Sequence, residues 1–148
     1  MASRTGQPIF TIQKANEAVQ ELRRSLPALR RTLRRIERME DRLLTLDLIC
    51  DRTVSPENPD LQDYLSLRLR YHRTISGFQE KLDALATRGY LLRDLEKGVV
   101  HFLGRREGHR VLLCWREGEP EIRHWHPLRG HDAPDEEQRH RIKKGEDF

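Results

Sequence analysis

The 148-residue chain has no glycine-rich phosphate loop, no serine-centred nucleophile elbow and no pair of carboxylates in a recognisable acid–base setting. The common nucleotide-binding and hydrolytic signatures are therefore missing. Its two cysteines, Cys50 and Cys114, are too few for a secreted disulfide framework and lack the CxxC spacing of zinc or redox sites. Reduced thiols in the cytoplasm are the expectation. Met1 to Pro8 holds no apolar export segment, and no run approaches the roughly 18 apolar residues of a membrane span. Neither export nor a membrane partner is expected. Aromatic residues are scarce at 6%, and hydrophobic residues, at 36%, barely exceed charged ones at 35%. Any core must be thin, and any helix must carry a wide solvated face. Lys and Arg number 28 against 24 Asp and Glu, a net charge of +4 that draws the chain only weakly toward polyanions.

What the chain does have is periodicity. Thr11 is placed to cap a first helix over 12–25, in which Ala15, Ala18, Val19 and Leu22 recur at helical spacing. Pro27 suits a first helical turn better than an interior, so the spacing predicts a break near Ser25-Leu26 and a second helix over 27–50. Along it Leu29, Leu33, Ile36, Met39, Leu43, Leu46 and Cys50 form a seam at steps of three and four. The segment from Thr53 to Pro59 reads as a loop. A third helix over 60–88 carries Tyr64, Tyr71, Phe78 and Leu85 seven apart and ends at Gly89.

The period then changes to two. Strands are predicted over 99–104, 110–116 and 121–126, with Leu91-Leu92 as a fourth. The fold class expected is α+β: a short N-terminal helix and a long antiparallel helical hairpin, packed on a three- to four-stranded antiparallel meander. One domain over 9–128 is expected, followed by a charged tail over 129–148 with no apolar period, which reads as disordered.

Turns set register, and register sets which side chains share a face. A two-residue turn at Glu107-Gly108 puts Leu103 opposite Leu112, Phe102 opposite Leu113 and His101 opposite Cys114. A turn centred on Gly118-Glu119 puts Trp115 opposite Ile122 and Leu112 opposite Trp125. One face then carries Val100, Phe102, Val111, Leu113, Trp115 and Ile122, a core face. The other carries Val99, His101, Leu103, Leu112, Cys114, Arg123 and Trp125, a mixed surface that calls for a cover: a second subunit, the tail or a ligand.

The pieces Gly98-Val99-Val100-His101-Phe102, Leu113-Cys114-Trp115, Gly118-Glu119 and Trp125-His126, with Phe10-Thr11, Ala15-Asn16 and Leu26-Pro27 before them, resemble a bacterial domain-of-unknown-function family, the one numbered twenty-two oh-three. The resemblance runs from about Phe10 to Gly130 and implies no activity. That family usually has an acidic residue where this chain has His101.

These residues offer three chemistries. Cys114, His124, His126 and His131 are metal-ligand types within a short span, but their spacing matches no standard zinc pattern. The register above also sends His124 and His126 to the face opposite Cys114. No metal and no cofactor are therefore expected. His101 beside Cys114 is a thiol–imidazole pair with no third orienting residue. Arg31, Arg35 and Arg38, with Arg24 and Arg42, line the helix side opposite the seam, where phosphates would lie. The favoured function is a non-enzymatic cytoplasmic interaction or assembly module, a homodimer or a binder of another protein through the Leu103–Leu112–Trp125 face or the helix tips. The alternative is nucleic-acid binding through the arginines, and a third reading is an enzyme or metal site around Cys114 and His126.

Overall fold

In a computed structural model, residues 6–49, 59–130 and 133–148 are described. Cys50, the loop from Thr53 to Asn58 and His131 lie outside them. Two helices, α1 (Ile12–Ile49) and α2 (Pro59–Thr87), precede the strands β1 (Tyr90–Asp94), β2 (Val99–Arg106), β3 (His109–Arg116), β4 (His124–Arg129), β5 (Ala133–Pro134) and β6 (His140–Arg141). The architecture is α+β, as expected. No described helix is long and apolar enough to cross a membrane.

The chain divides into two compact units, Met1–Pro27 with Asp83–Phe148, and Ala28–Leu82, where the sequence suggested a single domain over 9–128. The second unit is helical. In it Leu29, Ile36, Leu46 and Leu67 are buried, and Tyr71 hydrogen-bonds Glu40 between the two helices. Arg31, Arg35 and Arg38 are exposed, and Arg35 and Arg38 share a recess with Met39, Leu67 and Arg70 rather than lying on the side away from the seam.

The first unit buries Ala15, Ala18, Val19, Leu22 and Leu26 of α1 together with Val100, Phe102, Leu113 and Trp115 of the sheet. Thr11 Oγ1 accepts the Lys14 backbone N–H at 3.2 Å, the expected cap. The expected break at Pro27 is absent. Proline inside a helix removes one backbone bond and costs roughly 3 kcal/mol. Here the buried positions Leu22, Leu26 and Leu29 keep helical spacing across it, so the apolar stripe outweighs that loss.

The strands form an antiparallel sheet in the order β1-β2-β3-β4-β5, with β6 also on β4. Glu107 and Gly108 both have positive φ, 51° and 79°, which is the two-residue hairpin geometry that matches strand twist. The β2–β3 register is accordingly the expected one, with His101 opposite Cys114 and Leu103 opposite Leu112.

The β3–β4 register is not. Leu112 pairs with His126, Leu113 with Trp125 and Cys114 with His124, one residue away from the expected alignment. No tight turn joins these strands: residues 117–123 form a longer connection, and β4 begins at His124 rather than at 121. Three hydrogen bonds pin that connection, two of them to α1. The Ile122 N–H donates to Asn16 Oδ1 at 2.8 Å, Trp115 Nε1–H donates to the Glu119 carbonyl at 2.9 Å, and Arg23 bonds the Pro120 carbonyl. A slip of one residue reverses every side chain of the strand. His124 and His126 therefore join the Cys114 face, and Trp125 leaves the Leu103–Leu112 face for the Leu113 side.

The charged tail over 129–148 was expected to be disordered, yet its described part holds β5 and β6, both paired to β4. Trp125 sits between His140, stacked at 4.7 Å, and the Arg106 guanidinium at 4.8 Å.

Candidate metal centre

The register brings His101 of β2, Cys114 of β3 and His126 of β4 side by side on adjacent strands. Their three ligand atoms lie within 4.8 Å of one another. All three residues are buried: His101 and His126 are 2% exposed and Cys114 is fully enclosed. The imidazole centroids are 5.2 Å apart. A tetrahedral zinc ion with bonds of about 2.0–2.3 Å holds its donors roughly 3.5 Å apart, so closing on an ion takes about an ångström of side-chain movement.

Each ring is held by its own partners. His126 Nδ1 faces the carbonyls of Asp135 and Gln138, each at 3.1 Å. A carbonyl only accepts, so Nδ1 carries the proton and Nε2 keeps its lone pair, the backbone-oriented state typical of a ligating histidine. His101 Nδ1 accepts the Arg93 Nε–H at 3.3 Å. Burial, with His126 and Arg93 beside it, pushes the His101 pKa down to about 3, and burial also lowers that of His126. Both imidazoles are neutral near pH 7, as ligation requires.

Cys114 differs. Burial raises its thiol pKa, against a smaller opposing pull from a hydrogen bond with Arg139. Arg139 in turn donates to Glu119 Oε1 at 2.7 Å, and Glu119 Oε2 accepts the Arg116 backbone N–H at 3.1 Å. Nucleophilic cysteines have lowered pKa values and partial exposure, and Cys114 has neither. A metal ion, by contrast, displaces a thiol proton outright.

A cavity of about 370 Å³ is lined by the trio together with Arg93, Asp94, Lys97, Val99, Arg116 and Glu136. The trio is buried while Arg93, Lys97, Arg116 and Glu136 are exposed, so the cavity connects the cluster with the surface. A register shift between Leu92 and Asp94 makes Arg93 the extra residue of a β-bulge, and both Arg93 and Asp94 reach the cavity.

Of the residues singled out from the sequence, the structure unites His101, Cys114 and His126. It places Trp125 on the opposite sheet face and the arginines Arg31, Arg35 and Arg38 in the helical unit. His124, although paired with Cys114, turns toward Glu119 at 3.5 Å and is not one of the trio. Sequence reasoning missed Arg93, Arg139 and Glu119. Arg139 and the Asp135 and Gln138 carbonyls lie in the segment without apolar period, and Glu119 read as a solubilising turn residue.

A family model described as Uncharacterized conserved protein (DUF2203) matches residues 8–132. No curated protein and no solved structure matches the chain.

Proposed function

The chain belongs to that family, whose description carries no chemistry, and from the site itself we propose that the protein binds one transition-metal ion, zinc foremost, through His101, Cys114 and His126. The observation that carries this is the convergence of three buried ligand groups within 4.8 Å at the inner end of a cavity. Two imidazoles and a thiolate suit borderline-soft ions rather than magnesium or calcium. Three protein ligands beside open space fit the pattern of a zinc site that keeps one position for a small molecule. The cytoplasm, where the thiol stays reduced, is the expected setting.

Metal content after purification, and titration of chelator-stripped protein with Co²⁺ followed by its visible absorption, test the proposal. One ion per chain is expected, lost in Cys114→Ser and His126→Ala variants that retain their circular dichroism. Stripped wild-type protein that takes up neither Zn²⁺ nor Co²⁺ at micromolar concentration overturns it. Copper is a poor probe, because Cu²⁺ binds most nitrogen and sulfur sites more tightly than its neighbours in the series.

A second reading belongs to the helical unit. Arg35, Arg38, Arg42 and Arg70 line one recess of about 260 Å³ with Met39 and Leu67, which supports binding of phosphates there. Nucleic-acid binding that falls steeply with salt and is lost on replacing Arg35 and Arg38 by Gln supports it, and no binding at low salt refutes it. Leu44, Leu48, Ile49, Leu65 and Leu69 are exposed in the same unit and support a protein partner or a second copy at the helices. Leu103 and Leu112 are already buried within one chain, so a dimer through that sheet face has lost its support. Sedimentation of wild type beside Leu48→Lys decides between monomer and helix-mediated dimer.

A further inference from the structure

We propose that the open coordination position of the His101–Cys114–His126 centre takes a small oxyanion, a carboxylate or phosphate group, clamped by the guanidinium groups of Arg93 and Arg116. This rests on the metal reading and specifies what its fourth position holds.

The cavity chemistry carries the argument. Its lining holds three cations, Arg93, Lys97 and Arg116, and two carboxylates, Asp94 and Glu136. One of those carboxylates is engaged in a turn, where Asp94 Oδ1 accepts the Lys97 backbone N–H at 2.8 Å. A divalent ion held by one thiolate retains a single positive charge, and the lining adds another. A neutral or cationic ligand would meet an uncompensated positive field, whereas an anion neutralises it. Guanidinium groups match the paired oxygens of carboxylate and phosphate in a way that no neutral side chain does. At about 370 Å³ the space lies near the lower end of the roughly 300–1,000 Å³ common for ligand pockets, which limits the occupant to a small molecule.

Metal binding and the anion clamp are linked through His101. Arg93 can only donate, and it now donates to Nδ1. If the ion takes Nδ1, it displaces Arg93. If it takes Nε2, the ring proton moves to Nδ1 and two donors face each other. In either case the Arg93 Nε–H loses its present acceptor beside the cavity that Arg93 lines. The metal thus turns one Arg93 N–H from His101 toward the anion, and by reciprocity the anion strengthens metal binding.

The experiment uses the full chain loaded with Co²⁺, whose absorption reports its coordination. Inorganic phosphate and acetate are titrated in turn, with acetamide as the neutral probe. Saturable spectral change with phosphate or acetate and none with acetamide is expected, and the more effective anion identifies the ligand class. Arg116→Gln, at an exposed position, should weaken anion binding at least about tenfold, the loss expected for one charge-assisted hydrogen bond, without weakening Co²⁺ binding. Arg93→Gln should weaken anion binding without weakening Co²⁺ binding. Absence of any Co²⁺ spectrum sinks the metal reading itself. A normal Co²⁺ spectrum unmoved by millimolar phosphate and acetate, or anion binding that Arg93→Gln and Arg116→Gln leave intact, overturns this inference and spares the metal site.

Discussion

Acidification of the metal-free protein probes His101 directly. Its pKa falls from an ordinary 6.5 to about 3, chiefly through burial, with His126 and Arg93 reinforcing the effect. Between those values the unfolded chain binds a proton that the folded chain refuses. Stability from this group is therefore fully present above about pH 6.5 and is lost as pH falls toward 3, at about 1.4 kcal/mol per unit. From about pH 7.5 to pH 5 the loss from His101 is about 2 kcal/mol. His126 and His124, whose pKa values are also lowered, add to it with the same sign. Glu21 and Glu146, whose pKa values are lowered from 4.5, contribute stability that is lost only as pH drops below that value, so this interval largely isolates the histidines. The assay is urea unfolding at both pH values with chelator present, on wild type and on His101→Gln, which keeps an acceptor for Arg93. Wild type should lose at least about 2 kcal/mol, and the variant should lose about 2 kcal/mol less than wild type does. A wild-type stability that stays flat over this interval, or a variant with the full wild-type pH dependence, would falsify the placement of a neutral, buried His101.

Zinc uptake near pH 7 should release about one proton per ion, because the histidines are already neutral and only the Cys114 thiol must ionise. Calorimetry in two buffers of different ionisation enthalpy measures this count, and a release near three would contradict it. Gly98 has φ of +68°, and an added Cβ would lie 2.5 Å from that of Glu117. Gly98→Ala should therefore cost about 1–3 kcal/mol in thermal or urea unfolding, and a neutral result refutes the geometry of that turn. Asn16→Ala strips the Ile122 N–H of its acceptor and should cost about 1–3 kcal/mol. It should also loosen hydrogen-exchange protection in 117–124, and unchanged protection there would show that other contacts hold the connection.

Several elements were legible because their causes are local. Gly89, with φ of +86°, ends α2 where a left-handed residue was expected, and the alternation of buried residues in α1 follows its apolar spacing. Glu107 and Gly108 can both adopt positive φ, so the two-residue turn, and with it the pairing of His101 with Cys114, follows from four or five neighbouring residues. Continuity through Pro27 was not legible. Local preference favours a break there, and only the buried stripe on both sides overrules it.

The candidate site divides along the same line. Composition and hairpin chemistry by themselves determined an α+β chain with a thin core and put His101 across from Cys114. They did not determine the third ligand. The connection over 117–123 opens with a turn at Gly118 that does not by itself set its length, and it takes its path from Asn16 and Arg23, about a hundred residues earlier in the chain. Those bonds shift β4 by one residue, and the two-residue period of a strand turns that shift into a change of face. His126 therefore meets Cys114 because a helix at the other end of the chain holds the connection in place. Its ring is then oriented by the carbonyls of Asp135 and Gln138, in a segment with no periodic signal of its own, which pairs with β4 and is held by Arg139 on Glu119 and His140 on Trp125.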